Sequence, residues 1–237
     1  MVVLSTNPDI APRISQLEQD EYRSYLVEVL EPLAGHIEDS ELRFYDNGYR
    51  KAIFEAEPNL LRRSGLVAPE SATCPEHDEI VIVGMPFSAG YDLHREYQLL
   101  CELHEREGTT TPYPVFFHDS YASENRVKMI GMEKVPGVTL QDYHEHNVPH
   151  PDLGLWQARA AALVHARTGL IYAEPHGKNI LVDEEDERVR FVDVIHFQHG
   201  TLDEMLEIWL DDWIDHHPEL RTRSDQRSFI AAVHDYA

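Results

Sequence analysis

The stretch that decides the fold is "GLIYAEPHGKNILVDEEDERVRFVDV", residues 169–194, in which two apolar runs flank an acidic run. This pattern predicts an antiparallel hairpin with the strands "NILV" and "RFVDV". With the turn centred on Asp186, Asn179 faces Asp193, and their Cα atoms lie about 5 Å apart. An amide oxygen and a carboxylate at adjoining strand ends suit Mg2+, which takes one or two protein ligands together with phosphate oxygens and water.

Glu174 adds a carboxylate five residues before Asn179. Such a group is a candidate to accept a proton from an attacking hydroxyl or to hold a second metal ion. An ordinary hairpin, in which Asn179 and Asp193 only form the turn-like ends, explains these few residues equally well. The rest of the chain is needed to choose between the two interpretations.

Composition excludes several classes of partner. The 237-residue chain carries a net charge of -23, with only 20 basic residues, which argues against a nucleic-acid partner because phosphate contacts need clustered Lys and Arg. No apolar run approaches the roughly 18 residues of a membrane span, so we expect no membrane partner. The two cysteines, Cys74 and Cys101, lack disulfide or zinc spacing, which favours a cytoplasmic protein with reduced thiols.

Three histidines lie close together in "YHEHNVPH", residues 143–150, and are candidate metal ligands. His144, His146 and His150 lack the spacing of known zinc motifs. The segment is therefore predicted to be a polar loop.

Periodicity along the chain predicts a mixed arrangement of helices and strands. We expect a long loop over residues 58–78 and a turn at Asp46-Asn47-Gly48. The predicted helices are 14–36, 91–107, 153–169 and 201–217. Outside the 169–194 stretch we predict a hairpin over 41–57, around that turn, and strands over 79–85, 113–121 and 126–135.

The run "YAEPHGKN", residues 172–179, resembles the catalytic loop of the protein-kinase-like superfamily, which includes aminoglycoside and choline phosphotransferases. In that family a His-x-Asp-x-x-x-x-Asn run is followed by a strand, a turn and a metal-binding Asp. The resemblance places Tyr172 at the family His, Glu174 at the catalytic Asp, and Asn179 and Asp193 at the two metal ligands. It thereby implies ATP and Mg2+ as cofactors.

Other segments follow in the family order. "LHREYQLLCEL", residues 93–103, is similar to the helix whose Glu, here Glu96, pairs with the phosphate-binding lysine. "MIGMEKVPGVTL", residues 129–140, is similar to the last strand of the N-terminal lobe and the hinge. By this resemblance Met132 lies near the gatekeeper position, and the backbones of Glu133 and Val135 meet adenine.

Departures from the family pattern weaken the case for catalysis. No lysine lies on the third strand, where Val83 or Gly84 stands instead, and Lys51 on the preceding strand is the candidate replacement. Gly48 is the only glycine where a Gly-rich loop is expected. Glu174 in place of Asp moves the carboxylate outward by about 1.5 Å, and a misplacement of about 1 Å can lower a rate by on the order of a hundredfold.

The resemblance implies an α+β, protein-kinase-like, two-lobed fold. Its expected parts are an N-terminal helical extension (1–39), a β-rich N-lobe (40–137) that ends in a hinge near Pro136-Gly137, and a short helical C-lobe (138–237). We expect a divergent protein that binds Mg-nucleotide, with weak or absent phosphotransfer to an unknown protein or small-molecule acceptor. The alternative is an inactive pseudokinase that acts as a binding or regulatory module, and transfer of AMP or another group is a third hypothesis.

Overall fold

The structure is a computed structural model of the 237-residue chain. It describes residues 16–47, 51–66, 81–86, 91–106, 110–122 and 125–237. The fold is mixed α and β with antiparallel sheets, and the chain divides into two compact units. The first unit is Met1–Tyr97 with Val115–Lys134, and the second is Gln98–Pro114 with Val135–Ala237.

The first unit is built on one five-stranded sheet in the order β1-β2-β3-β5-β4. The helix α3 (Leu93–Arg106) begins in this unit, which includes its residues as far as Tyr97. The elements are α1 (Gln16–Ala34), β1 (Leu42–Asn47), β2 (Lys51–Ala56), α2 (Pro58–Arg63), β3 (Val81–Pro86), α3 (Leu93–Arg106), β4 (Pro114–Ala122) and β5 (Asn125–Glu133).

The core of the first unit joins α1 to the sheet. Leu26 and Leu30 of α1 are fully buried in the same cluster as Phe54 of β2 and Met129 of β5. Buried residues alternate along β2, so one face of the sheet packs against this cluster. The N-terminal helix is therefore an integral part of this unit's core.

The second unit combines helices with two small antiparallel sheets, of orders β10-β7 and β6-β8-β9. Its central helix, α5, packs against α7 and β9 and ends at Gly169, whose φ of 70° gives the left-handed C-cap favoured by glycine. The elements are β6 (Val138–Thr139), α4 (Leu140–His146), α5 (Leu153–Thr168), β7 (Leu170–Tyr172), β8 (Ile180–Asp183), β9 (Arg188–Phe191), β10 (Phe197–His199), α6 (Leu202–Glu207) and α7 (Arg223–Tyr236).

Three sequence predictions about elements are wrong. The predicted loop 58–78 begins with the helix α2, which starts at Pro58 because proline is favoured in the first turn of a helix. Residues 67–80 of this loop lie outside the described residues. Gly48 of the predicted turn lies outside them too. His144 and His146 lie on α4 instead of in a loop. One continuous helix is predicted over 201–217, but the α-helix α6 ends at Glu207, and a π-helical turn, Ile208–Asp212, follows it.

Close packing makes Gly131 of β5 sensitive to substitution. A Cβ atom at this position would lie 2.2 Å from Cε1 of the buried Phe116 ring. Gly131→Ala is therefore expected to destabilise the first unit by about 1–3 kcal/mol in urea unfolding, the usual cost of overpacking. Because Phe116→Leu removes the opposing ring atoms, the double variant should recover part of this loss; strictly additive losses would contradict the predicted clash.

Candidate functional site

The hairpin of the opening stretch forms, but its register differs by one residue from the prediction. The strands β8 and β9 pair Ile180 with Phe191 and Asp183 with Arg188. Asn179 is therefore next to Val192, whose N–H donates to the Asn179 carbonyl at 2.9 Å, and does not face Asp193. The predicted pairing of Asn179 with Asp193 is wrong by one position.

The geometry of the turn explains this difference. Four residues, 184–187, connect the strands, whereas a turn centred on Asp186 assumes an odd number. Asp183 Oδ1 accepts a hydrogen bond from the Asp186 N–H at 3.3 Å, and Glu187 adopts a left-handed φ of 51°. Such side-chain to backbone bonds fix a tight turn locally and thereby set the strand register.

Asp193 begins a short 3-10 turn, Val194–His196, just after β9. Its backbone is left-handed, with φ 58° and ψ 54°. Asp and Asn adopt this conformation more readily than other non-glycine residues. Residues three apart are aligned on a 3-10 turn, so Asp193 and His196 lie on the same side of it.

His196 connects the two predicted carboxylates. Its Nδ1 lies 2.5 Å from Glu174 Oε2, and its Nε2 lies 3.3 Å from Asp193 Oδ2. The side chains of Glu174, Asp193 and His196 are 39%, 20% and 15% exposed, so solvent reaches the cluster only in part. The structure therefore brings Glu174 and Asp193 together through a histidine that the sequence analysis did not consider.

The backbone around Glu174 is held by hydrogen bonds from distant segments. The Ala173 N–H donates to the His196 carbonyl at 3.1 Å, and the indole N–H of the buried Trp209 donates to the Tyr172 carbonyl at 3.2 Å. The Tyr172 hydroxyl donates to the Val192 carbonyl at 2.7 Å. Tyr172 thus ties the loop before Glu174 to the segment before Asp193.

Asn179 and Asp193 provide oxygen ligands of the kind that Mg2+ prefers. Both side chains are half-buried, and the Asn179 N–H donates to the His176 carbonyl at 2.8 Å. Across the described part of the chain, no three His, Cys, Asp or Glu side chains are grouped to hold a metal ion by themselves. Asn179 and Asp193 would therefore hold Mg2+ only where nucleotide phosphates and water complete its coordination.

In the first unit, Lys51 and Glu96 form a buried ion pair. Lys51 Nζ lies 2.5 Å from Glu96 Oε1, with the two side chains 8% and 1% exposed. The Tyr91 hydroxyl donates to the other oxygen, Glu96 Oε2, at 3.0 Å, and Lys51 Nζ lies 5.6 Å from the centre of the Tyr91 ring. The lysine of β2 thus pairs with the glutamate of α3.

Gly84 of β3 leaves room for the Lys51 side chain. β2 and β3 pair Ile53 with Gly84, so Lys51 and Gly84 are diagonal neighbours on one face of the sheet. A Cβ atom at Gly84 would lie 3.5 Å from Lys51 Cδ and 3.2 Å from Ile130 Cγ2. The Lys51 stem therefore lies over the position where the family resemblance expects the lysine itself.

The three remaining predicted residues lie at the end of β5 and just after it. Met132 is buried and pairs with Ile82, and the half-buried Glu133 pairs with Val81 at the last position of the strand. Val135 is buried and belongs to the second unit. Their assignment to adenine binding stays a prediction.

Comparisons with known proteins add no family. Models of known protein families give no match to the chain, and a search of curated proteins finds no significantly similar sequence. In the described residues, no helix has both the length and the apolar character that a membrane crossing requires.

Proposed function

We propose that this chain is a divergent, two-lobed kinase-like protein that binds a magnesium nucleotide and transfers phosphate weakly or not at all. The Lys51–Glu96 pair supports this proposal most strongly. Forty-five residues separate its members, and both are almost completely buried. Since desolvation often cancels the attraction within a buried ion pair, stability alone does not account for this pair.

Each unit carries one part of the proposal. In the first unit, Lys51 is the proposed cation for the nucleotide phosphates, with Glu96 holding its side chain. In the second unit, Asn179 and Asp193 are the proposed Mg2+ ligands, and Glu174 is the proposed proton acceptor or positioning carboxylate. Magnesium, when bound, would neutralise phosphate charge.

A second candidate function is that of a pseudokinase acting as a binding or regulatory module. The contact of Glu174 with His196 favours it, because a carboxylate held by a histidine is less available to accept a proton from an acceptor hydroxyl. The two candidates differ in whether phosphate is transferred. A phosphotransferase needs an acceptor, either a protein or a small molecule, whereas a pseudokinase needs none.

Calorimetric titration with ATP, with and without Mg2+, tests nucleotide binding directly. We expect Mg2+-dependent binding by the wild type and at least a tenfold loss in Asp193→Asn, because asparagine tolerates the left-handed backbone but lacks the ionised carboxylate. Asp186→Asn is the matched control at the other end of the hairpin and should bind like the wild type. Absent wild-type binding, or unchanged affinity in Asp193→Asn, would contradict the assignment.

Phosphate transfer needs a separate measurement. If labelled ATP yields a phosphorylated acceptor, Glu174→Gln should abolish the transfer while ATP affinity stays within about twofold. Undiminished transfer by this variant would remove Glu174 from the proposed chemistry.

A further inference from the structure

His217 is a fully buried histidine in the second unit that the proposed function does not use. It lies between two 3-10 turns, Ile214–His216 and Pro218–Leu220. Its ring stacks on the buried Trp209 indole, with centroids 5.1 Å apart and an interplanar angle of 24°. A polar ring at zero exposure needs a partner for each nitrogen, since an unpaired buried polar atom is costly.

Both ring nitrogens of His217 meet oxygen atoms. Nε2 lies 2.8 Å from the carbonyl of Pro175, the residue after Glu174, and Nδ1 lies 3.1 Å from Glu219 Oε1. A carbonyl oxygen only accepts hydrogen bonds, so Nε2 carries a proton. Nδ1 faces the carboxylate of Glu219, which contacts the ring from its other side.

Glu219 is an ionised carboxylate in this setting. Its other oxygen, Oε2, lies 2.9 Å from His144 Nε2 on α4. Burial by itself raises the pKa of Glu219, but the polar contacts from His144 and His217, together with the charge of His217, outweigh burial and lower this pKa to about 2. Through Oε1 this carboxylate contacts Nδ1 of His217 and thereby fixes the orientation of the ring.

We propose that His217 is a positioning residue whose ring anchors the Glu174 loop by donating from Nε2 to the Pro175 carbonyl. Glu219 Oε1 contacts the ring at Nδ1, Trp209 covers its face, and His144 Nε2 of α4 lies 2.9 Å from the other oxygen of Glu219. The anchor acts on the residue next to Glu174, just as the Trp209 indole acts on the Tyr172 carbonyl. The functional consequence rests on the proposed role of Glu174, but the anchor itself does not.

Two substitutions separate the two hydrogen bonds of His217. The side-chain amide of Gln reaches about as far as Nε2, so His217→Gln retains a donor for Pro175. The shorter amide of Asn reaches about as far as Nδ1, so His217→Asn retains a donor for Glu219 and leaves the Pro175 carbonyl without its partner. The pair is matched in chemistry and differs in which bond it preserves.

Amide hydrogen exchange without nucleotide tests the anchor. The informative N–H groups are those of Ala173, His176 and Asn179, which are hydrogen-bonded within or next to the loop. We expect exchange at least tenfold faster in His217→Asn and within about threefold of wild type in His217→Gln, with the amides of α5 unchanged in both. Equal rates in the two variants, or equal acceleration throughout α5, would reject a specific anchoring role.

Histidine ring NMR provides an independent readout on the intact wild-type protein. With 15N-labelled histidine, His217 should show a proton on Nε2; an Nε2 without a proton would overturn the proposal. The titration with ATP distinguishes the two hypotheses. If the exchange and NMR results contradict the anchor but Mg-ATP binds normally, only the anchor is rejected. If they support the anchor but the protein does not bind ATP, only the proposed function is rejected.

Discussion

Replacing Lys51 by methionine is expected to lower the free energy of unfolding of the first unit by about 3–5 kcal/mol, the usual cost of breaking a buried ion pair from one side. Methionine retains the apolar stem that lies over Gly84 but leaves the carboxylate of Glu96, 1% exposed, without its cation. The Tyr91 hydroxyl alone does not offset a buried negative charge. Urea unfolding followed by circular dichroism measures the effect.

The double variant Lys51→Met with Glu96→Gln separates charge from packing. The glutamine removes the orphaned charge and still offers Tyr91 an acceptor, so most of the lost stability should return. Lys134→Met is the matched control. Its pair with Glu55 has the same 2.5 Å separation, but the lysine is 37% exposed, so the expected loss is at most about 1 kcal/mol. Equal losses in the two single variants would show that burial of the Lys51 pair has no special cost.

The same double variant is suited to testing Lys51 in nucleotide binding. It removes the cation without leaving a buried charge, so a loss of ATP affinity would not be a consequence of local unfolding. If affinity is unchanged in this variant, Lys51 is a structural residue and has no contact with phosphate.

Sequence reasoning was most successful where local pattern and burial agree. The amphipathic pattern of α3 places Leu93, Tyr97, Leu100 and Leu103 on one stripe and predicts the helix, and the structure buries the three leucines and half-buries Tyr97. The β1-β2 hairpin follows from alternation on both sides of a turn signal. Glu96 was identified as the partner of a lysine and Lys51 as the candidate lysine, and the structure joins them.

The candidate site was harder to predict, because its geometry depends on contacts that are distant in sequence. The observed strand register differs by one residue from the predicted one because of the four-residue turn, as the pairing of Ile180 with Phe191 shows. His196 contacts Asp193 because the two residues are aligned, three positions apart, on a 3-10 turn. The sequence indicates this alignment only after Asp193 has been assigned to the start of such a turn. His217 lies 42 residues from Pro175, and no local pattern indicates that contact.

The break after α6 shows a similar limit. The apolar spacing of 201–217 is that of one helix, yet the backbone widens into a π turn at Ile208–Asp212. Trp209, within this turn, is fully buried and donates to the Tyr172 carbonyl. Tertiary contacts of this kind override a periodic pattern, and π turns are frequent at functional sites.

Replacing Glu219 by glutamine should destabilise the second unit by about 3 kcal/mol near pH 6, and the difference from wild type should shrink in acid. The pKa of Glu219 is lowered from its ordinary value of 4.5 to about 2. A lowered pKa means that the unfolded chain takes up the proton more readily than the folded protein. The stabilisation is therefore complete above about pH 4.5 and is lost as the pH falls from 4.5 toward 2.

Urea unfolding at a series of pH values measures this dependence. A shift of one pKa unit corresponds to about 1.4 kcal/mol, so about half of the difference should remain near pH 3. Glu145→Gln is the control, because Glu145 is an exposed carboxylate on α4, next in sequence to His144, and its removal should change stability little at any pH. A Glu219→Gln effect that is independent of pH between 6 and 3 would mean that Glu219 stabilises by packing and not as the ionised partner of His217.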